Sequence, residues 1–339
     1  MSKPKQAEKY FYSMQTFADY PNYYVSDTFF SNPKCLTDAN PWQSEYLWGH
    51  RILFDYTNKD GVRLQGTLAI PDNYEDGQKL PMLVNFYEKN SQNLHRYASP
   101  RYSSSPCFSG FVSNGYLVMQ PDVHFNTRTP GSDMVECVEA ATRKVIEMGY
   151  VDPKRIGLHG HSYSGFGAAY ISTRSKMFAA IAPGAAPINL VSEFNQLFIG
   201  SGVNNHRYDI YGQGRYGVSP YEDLALYEDQ SPITRVREMN TPMLYLHGTA
   251  DGSVMYLQGV EWYNALRFNN KPIIFLSYPG EGHGLGKIDN QKDWTRRIHQ
   301  FFNHHLKGEP APEWMIKGRT FLEKERALKT NKKEKEEDK

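Results

Sequence analysis

Residues 160–165 read Gly-His-Ser-Tyr-Ser-Gly and decide the fold, because an apolar run precedes them and small residues follow them. The run at 155–159 predicts a strand, and Phe-Gly-Ala-Ala at 166–169 predicts the start of a closely packed helix. A sharp strand-to-helix turn that presents a nucleophile needs small residues two places before and two places after it. Gly160 and Ser164 meet that need, so Ser162 is the candidate nucleophile.

The rest of the chain supplies a sheet around this turn. Val135, Val138, Ala141 and Val145 recur at the spacing of one helix face. Short apolar runs that predict strands alternate with such helical segments, and this order predicts an α/β fold with a mostly parallel sheet and helices on both faces. The strand runs lie at 82–86, 116–119, 155–159, 178–182, 243–246 and 273–276, with a predicted hairpin of 51–56 and 62–70 before them and a turn at Asp152-Pro153.

Two of the later strand runs end in residues that complete a hydrolytic site. The run at 243–246 leads through His247-Gly-Thr-Ala to Asp251, and the run at 273–276 leads to His283 on a glycine-rich loop. The order serine, acid, histidine is the one that this architecture requires. Because the carboxyl ends of parallel strands share one edge of a sheet, Ser162, Asp251 and His283 are expected to meet there.

The chain is predicted to have three parts. Residues 1–45 show no sustained period and are interpreted as an extended lead-in. Residues 46–310 form the predicted α/β-hydrolase catalytic domain, with 190–235 as an insertion or cap beside the sheet. Residues 311–339 form a charged C-terminal tail, almost entirely charged from about Glu323 onward.

Three segments, residues 160–165, 247–254 and 278–284, closely resemble the catalytic domain of the prolyl oligopeptidase family of serine peptidases. The resemblance extends from about residue 23 to 308, and residues 38–41, Asp-Ala-Asn-Pro, look like the link from a β-propeller to the hydrolase domain. It implies that Ser162, Asp251 and His283 are the triad, that the Tyr87 hydroxyl helps form the oxyanion hole, and that the Tyr163 N–H is the second donor.

Several positions depart from the family pattern. Serine stands at 164 where glycine is usual, and the oxyanion loop reads Tyr-Glu-Lys-Asn at 87–90 instead of Tyr-Gly-Gly-Pro or Tyr-Ala-Gly-Pro. Ser253 replaces the asparagine that dipeptidyl peptidases have two residues after the acid. The stretch that carries the substrate-binding candidates Ala186, Pro187 and Leu190 lacks the aromatic residues of a proline-selective pocket. These 339 residues contain no counterpart of the propeller.

The amino-acid composition and the motifs limit the classes of partner and cofactor to be expected. Lys and Arg total 38 against 37 Asp and Glu, and this balance gives no reason to expect nucleic acid or a membrane surface as a partner. Neither a metal nor an organic cofactor is needed. The G-x-G-x-x-G match at residues 212–217 has no strand before it and is interpreted as a plain loop. The closing helix carries His299, His304 and His305, which are interpreted as a solvated helix face. The chain is expected to be cytoplasmic if it is complete and exported if it is the C-terminal part of a longer protein, and its oligomeric state stays open.

Three functions remain. The resemblance implies a serine peptidase that hydrolyses short peptides through an acyl-enzyme. The alternative is a carboxylesterase or deacetylase, since the same triad cleaves esters. The third is an inactive fragment without its propeller. Substrate side-chain specificity and exopeptidase or endopeptidase mode cannot be read from the sequence.

Overall fold

The structure is a computed structural model that describes residues 1–318, 320, 322, 323, 325–327, 329 and 330. Its strands, in chain order, are β1 (Lys9–Met14), β2 (Asn22–Asp27), β3 (Lys34–Cys35), β4 (Gly49–Thr57), β5 (Arg63–Pro71), β6 (Leu80–Asn85), β7 (Leu117–Pro121), β8 (Val151–His161), β9 (Ala180–Gly184), β10 (Leu197–Phe198), β11 (Val203–Asn204), β12 (Met243–Gly248) and β13 (Ile273–Tyr278). The helices are α1 (Phe108–Ser113), α2 (Pro130–Glu147), α3 (Tyr163–Ser172), α4 (Leu190–Phe194), α5 (His206–Tyr211), α6 (Leu224–Gln230), α7 (Tyr256–Phe268), α8 (Ile288–Lys307) and α9 (Glu313–Ile316), with 3₁₀ turns at Pro41–Glu45, Ser91–Asn93 and Pro232–Glu238.

Eight strands form the central sheet in the order β13-β12-β9-β8-β6-β7-β5-β4. All neighbours are parallel except that β5 runs antiparallel to both β7 and β4. The inner strands are buried on both faces, which explains why they appear in the sequence as continuous apolar runs. The predicted α/β class with a mostly parallel sheet is confirmed.

Helices cover both faces of this sheet. On one face, α1 and α8 bury Phe111, Phe301 and Phe302 against the strands. On the other face, α2, α3 and α7 pack their apolar sides, including the fully buried Trp262 of α7. The side chain of Cys137 on α2 belongs to this core. The hydrophobic clusters therefore lie on the two faces of the sheet whose strand ends carry the candidate site.

Two local predictions have different outcomes. The hairpin is confirmed: β4 pairs with β5, and the Asn58 side chain accepts the N–H groups of Asp60 and Val62 in the connecting turn. The turn at Asp152-Pro153 does not precede its strand but lies within β8. Leu80 pairs with Val151 and Met82 with Ile156, so residues 152–155 bulge out of the ladder.

The segment predicted as an extended lead-in contains regular structure. Strands β1, β2 and β3 form an antiparallel sheet of their own. Aromatic rings stack across it, with centroids 5.0 Å apart for Phe11 and Tyr23 and 5.3 Å apart for Tyr10 and Phe30. Phe17 then buries its ring beneath Arg51 of β4, which attaches the small sheet to the main one.

The predicted tail begins as ordered structure and continues beyond the described residues. The Trp314 indole on α9 donates to Gln300 Oε1 at 2.7 Å and lies under the Arg297 guanidinium, so α9 packs on α8. Residues 319, 321, 324, 328 and 331–339 lie outside the described part, and the boundaries of the three predicted parts stay predictions. Between β9 and β12 the predicted insertion consists of α4, the β10–β11 hairpin, α5 and α6; residues 190–238 are called the cap below.

Candidate active site

Ser162 lies at the turn between β8 and α3 in a strained backbone conformation, with φ 63° and ψ −124°. The turn is closely packed on both sides. A Cβ atom at Gly160 would lie 2.0 Å from the Ser164 carbonyl oxygen, and one at Gly165 would lie 2.3 Å from the Gly184 carbonyl oxygen. The Ser162 N–H donates to that same Gly184 oxygen at 2.9 Å. The small residues that the sequence places here are therefore a steric requirement of the turn.

Ser164, the departure from glycine, has a specific role in this turn. Its hydroxyl donates to the His161 carbonyl oxygen at 3.0 Å and accepts the His161 N–H at 3.0 Å. The residue before the nucleophile is thus held by both of its backbone polar groups. The side chain is buried and adds two hydrogen bonds to a turn that glycine would leave without them.

The structure brings the three predicted residues together. His283 Nε2 lies 2.7 Å from Ser162 Oγ, and His283 Nδ1 lies 2.8 Å from Asp251 Oδ2. Because Nδ1 faces a carboxylate, it carries the ring proton, and Nε2 is left as an acceptor for the serine hydroxyl. This is the arrangement in which an imidazole can take a proton from a serine.

Asp251 is an ionised carboxylate in a fully enclosed place. Its Oδ1 accepts the N–H groups of Ser253 and Val254 at 2.8 and 3.0 Å, and its Oδ2 accepts from both His283 and His247. Burial acts to raise the pKa of this carboxyl, but the hydrogen bonds from the two histidines and the backbone outweigh it and hold the pKa well below its usual range. The charge that orients His283 is therefore present at all ordinary pH values.

The loop that carries His283 is anchored on both sides. The His161 ring donates through Nε2 to the His283 carbonyl oxygen at 2.7 Å, and burial followed by the proximity of His283 lowers the pKa of His161 to about 4, so the His161 ring is neutral. On the other side, the buried Glu281 carboxylate accepts the N–H groups of Gly286 and Lys287 at 2.6 and 3.1 Å. The ring of His161, next to Ser162 in the chain, thus holds the backbone of His283.

The two candidate oxyanion donors lie next to each other at this edge of the sheet. Tyr163 is the first residue of α3, so its N–H belongs to the unpaired N–H groups that a helix start presents. Tyr87 follows β6 and its side chain is about 40% exposed. The two rings meet edge to face with centroids 6.4 Å apart.

The three substrate-binding candidates are buried. Ala186 and Leu190 belong to the hydrophobic core and Pro187 is enclosed beside them, so they present almost no surface to a substrate. The loop is fixed from below, because the Ala186 N–H donates to the Tyr245 hydroxyl at 3.0 Å and the Ile188 N–H to Gln258 Oε1 at 2.8 Å. The loop is therefore fixed to β12 and α7.

The cavities that a ligand could enter lie away from these three residues. A cavity of about 470 Å³ adjoins Tyr87 and is bordered by Glu88, Phe125 and Arg215. A larger cavity of about 1040 Å³ lies between residues 13–43 and residues 92–96, and none of the site residues lines it. The smaller cavity is the one that Tyr87 lines, and the ring of Tyr87 in turn contacts the ring of Tyr163.

Sequence reasoning missed several residues at the site. Gln213 and Arg215, from the glycine-rich match set aside as a plain loop, contact Tyr87 and Glu88. His247 also contacts Asp251, and its place at a strand end four residues before Asp251 is the sequence signal for it. The prediction of a solvated face is wrong for His299, whose ring stacks on Phe111 with centroids 3.9 Å apart and whose pKa is lowered by burial to about 4.

Two further findings bear on function. Within the described ranges, no three His, Cys, Asp or Glu side chains are grouped closely enough to hold a metal ion. Among the helices described, none is both long enough and apolar enough to cross a membrane.

The chain is similar in sequence to known peptidases. The sequence profile of the prolyl oligopeptidase family matches residues 112–309. The uncharacterized peptidase YuxL of Bacillus subtilis is 24% identical over 322 residues, which cover 88% of this chain and 46% of that protein. The acylamino-acid-releasing enzyme of Rattus norvegicus is 26% identical over 288 residues, which cover 80% of this chain and 38% of that protein.

Solved structures agree with the fold. An acylaminoacyl peptidase of Pyrococcus horikoshii superposes with a TM-score of 0.73 at 17% identity, covering 92% of this chain and 51% of that one. An acylaminoacyl peptidase in complex with Z-Gly-Gly-Phe-chloromethyl ketone gives 0.71 at 18% identity, with the same two coverages. At such identities the likeness establishes the α/β-hydrolase fold. The chain spans about half or less of the length of the relatives it matches.

Proposed function

Because this chain belongs to the prolyl oligopeptidase family, we propose that it is a serine peptidase that hydrolyses peptide bonds of short peptides through Ser162, His283 and Asp251. The observation that carries the proposal is the hydrogen-bonded series from Ser162 Oγ to His283 at 2.7 Å and from His283 to Asp251 at 2.8 Å. Three residues that lie up to 121 positions apart in the chain form this series at one edge of the sheet.

The proposed reaction has two acyl-transfer steps. His283 Nε2 takes the Ser162 proton while Ser162 Oγ attacks the carbonyl carbon, and Asp251 keeps the imidazole in the tautomer that can do so. The Tyr163 N–H and the Tyr87 hydroxyl stabilise the oxyanion of the tetrahedral intermediate. His283 then protonates the leaving amine, which gives an acyl-Ser162 ester. Water, deprotonated by His283, attacks this ester and releases the acid.

Relatives support a peptide as the substrate. Two are named for releasing acylamino acids or cleaving acylaminoacyl peptides, and one solved structure holds a peptide chloromethyl ketone. An N-acylated amino acid on the acyl side is therefore the first substrate class to offer. The exposed position of Tyr87 and the adjoining cavity suit a short peptide that reaches Ser162 from this side.

The test compares wild type with Ser162→Ala on pairs of substrates that share one acyl group. Each acyl group is presented as an anilide and as a p-nitrophenyl ester, with the amino group free or acetylated. The expected result is anilide cleavage that Ser162→Ala abolishes, together with fluorophosphonate labelling of the wild type alone. Ser113→Ala is the matched control, since the Ser113 hydroxyl on α1 donates to the Leu47 carbonyl oxygen at 2.6 Å and has no part in the proposed triad. Its labelling should equal that of the wild type.

Each outcome is informative. Ester cleavage with no anilide cleavage would replace the peptidase proposal by a carboxylesterase or deacetylase. Absence of labelling in folded wild type would identify an inactive domain. Labelling that persists in Ser162→Ala would contradict the assignment of the nucleophile.

A further inference from the structure

The glycine-rich loop at residues 212–217 lies over the candidate active site. It turns back on α5, because the N–H groups of Gly214, Tyr216 and Gly217 donate to the carbonyl oxygens of Tyr208, Asp209 and Ile210 at 2.9–3.1 Å. A Cβ atom at Gly214 would lie 2.6 Å from Asp209 Cα, so only glycine allows this approach. The loop directs the side chains of Gln213 and Arg215 toward the site.

Two neighbours determine how the Gln213 amide is oriented. Its Nε2 donates to Glu88 Oε1, a carboxylate oxygen that can only accept. Its Oε1 lies 3.2 Å from the Tyr208 hydroxyl, which donates to it. Burial raises the pKa of Tyr208 well above its usual value, so this hydroxyl keeps its proton. The amide therefore presents Nε2 toward Glu88 and Oε1 toward Tyr208.

This orientation has a consequence for Tyr87. Gln213 Nε2 also lies 3.4 Å from the Tyr87 hydroxyl oxygen, a long hydrogen bond for which the second amide hydrogen is free. Gln213 Oε1 lies 3.5 Å from the same hydroxyl, at the limit of a hydrogen bond, and it already accepts the shorter contact from Tyr208. The Nε2 contact is therefore the better of the two, and with Gln213 as the donor the Tyr87 proton points elsewhere. An oxyanion on Ser162 needs that proton directed toward it.

Arg215 connects the same cluster to the second candidate donor. One guanidinium nitrogen donates to Glu88 Oε2 at 2.7 Å, and the other donates to the Gln213 carbonyl oxygen at 2.7 Å and to the Tyr163 hydroxyl at 3.3 Å. The guanidinium also lies 4.4 Å from the centre of the Phe125 ring. The cap thus contacts both residues from which the proposed oxyanion hole is built.

We propose that Gln213 is a positioning residue that orients the Tyr87 hydroxyl toward the reacting carbonyl oxygen, and that the Arg215–Glu88 pair holds Gln213 in place. The inference rests on the proposed function. It assigns a role in transition-state stabilisation to a cap loop that lies 126 residues from Tyr87 in sequence.

The test is a double-mutant cycle of Gln213→Met with Tyr87→Phe, using p-nitrophenyl acetate and the best anilide of the panel. Methionine keeps the length of glutamine and removes the amide. Gln213→Met is expected to lower kcat about tenfold with KM nearly unchanged, less than the roughly 10²–10³ that follows loss of a whole donor. In the Tyr87→Phe background the same substitution should have almost no effect, because its target is gone.

Two further variants sharpen the result. Gln213→Glu removes the donor and adds a charge beside Glu88, so it should lower kcat at least as much as Gln213→Met. Gln78→Met is the control: this half-buried glutamine bonds to Glu75 and should leave the kinetics unchanged. Melting temperatures of all variants separate a kinetic effect from unfolding.

The outcomes are distinct. If Gln213→Met lowers kcat equally in the wild-type and Tyr87→Phe backgrounds, the inference is overturned while the peptidase stays intact, and a change in KM alone would have the same meaning. Wild type that shows neither turnover nor fluorophosphonate labelling would overturn the proposed function and the inference together.

Discussion

His247 and Asp251 form a hydrogen bond of 3.1 Å at the end of β12, and neither side chain is exposed to solvent. The same His247 nitrogen lies 3.0 Å from the Val254 carbonyl oxygen, so it faces two acceptors and carries the proton. Asp251 Oδ2 therefore accepts from two imidazoles, one on each side. His283 lies between Asp251 and Ser162, and His247 is a second donor that holds the carboxylate in place.

His247→Phe is expected to lower kcat about tenfold and to destabilise the fold by about 2 kcal/mol, within the range for a hydrogen bond to a charged group. Phenylalanine keeps the ring and removes the donor, so Asp251 is held less firmly and its buried charge is less well compensated. Turnover of an activated ester and denaturant unfolding measure the two effects. His50→Phe is the control, because His50 forms an exposed pair with Asp72 at 3.2 Å and should matter little. Unchanged kcat in folded His247→Phe would rule out this role.

Gly160→Ala tests the steric argument at the nucleophile. The added Cβ would lie 2.0 Å from the Ser164 carbonyl oxygen and 2.5 Å from its carbonyl carbon, and both are backbone atoms that cannot turn aside. We expect a loss of about 3 kcal/mol or more in the free energy of unfolding, at the upper end for overpacking. Gly200→Ala, where no atom lies within 4 Å, is the matched substitution. Equal denaturation midpoints for the two variants would contradict the steric argument.

Glu193 in the cap should make stability fall as pH rises. Glu193 and Asp209 are each at most 2% exposed, and burial raises the pKa of both carboxyls above their usual values. Between the unfolded pKa, about 4.3 for Glu, and the raised folded value, the folded state holds a proton that the unfolded state has released. Raising the pH through this window therefore favours unfolding, by about 1.4 kcal/mol per pH unit for each such proton.

Glu193→Gln removes one of these titrations, so its stability should depend less on pH than that of the wild type above about pH 5. Denaturant unfolding at a series of pH values gives both slopes. Parallel curves for the two proteins would show that Glu193 does not hold the proton.

Glu281 should make stability fall as pH falls, the opposite of the effect of Glu193. Burial alone acts to raise the pKa of this carboxyl, but the hydrogen bonds from Asn290 and from the backbone of Gly286 and Lys287 lower it overall. Its stabilisation is present above the unfolded pKa and is lost as pH falls below it. Glu281→Gln is expected to flatten the acid side of the stability curve and to lower kcat, because the same loop carries His283. If the stability of Glu281→Gln depends on acid pH as steeply as that of the wild type, the lowered pKa of Glu281 is contradicted.

The sequence was sufficient to predict the sheet and the positions of Ser162, Asp251 and His283. Each lies at the end of an apolar run, and parallel strands bring such ends to one edge whatever their separation in the chain. Small residues around Ser162 were predictable for the same reason, since the turn is a local structure with local steric demands. A local pattern combined with one topological rule gave the arrangement of all three.

Other features depend on contacts that leave no local pattern. In β1 the residues Lys-Tyr-Phe-Tyr-Ser-Met include aromatic side chains on both faces, so no alternation predicts a strand. Gln213 meets Tyr87 only because the cap folds over the sheet. His299 stacks on Phe111 because α8 packs on α1, a contact that helical periodicity does not specify. Burial of Ala186 likewise follows from how α7 and the cap pack.

The chain order of the site has a consequence for biosynthesis. A ribosome synthesises Ser162 first, then the cap with Gln213, then Asp251, and His283 after all of them. The loop of His283 is held through Glu281 to the start of α8, a helix whose apolar face must first cover β8 and β9. On the proposed assignment, a nascent chain therefore exposes a serine without a base. The proposed serine therefore gains its base only when the segment that carries His283 has been synthesised and packed against the sheet.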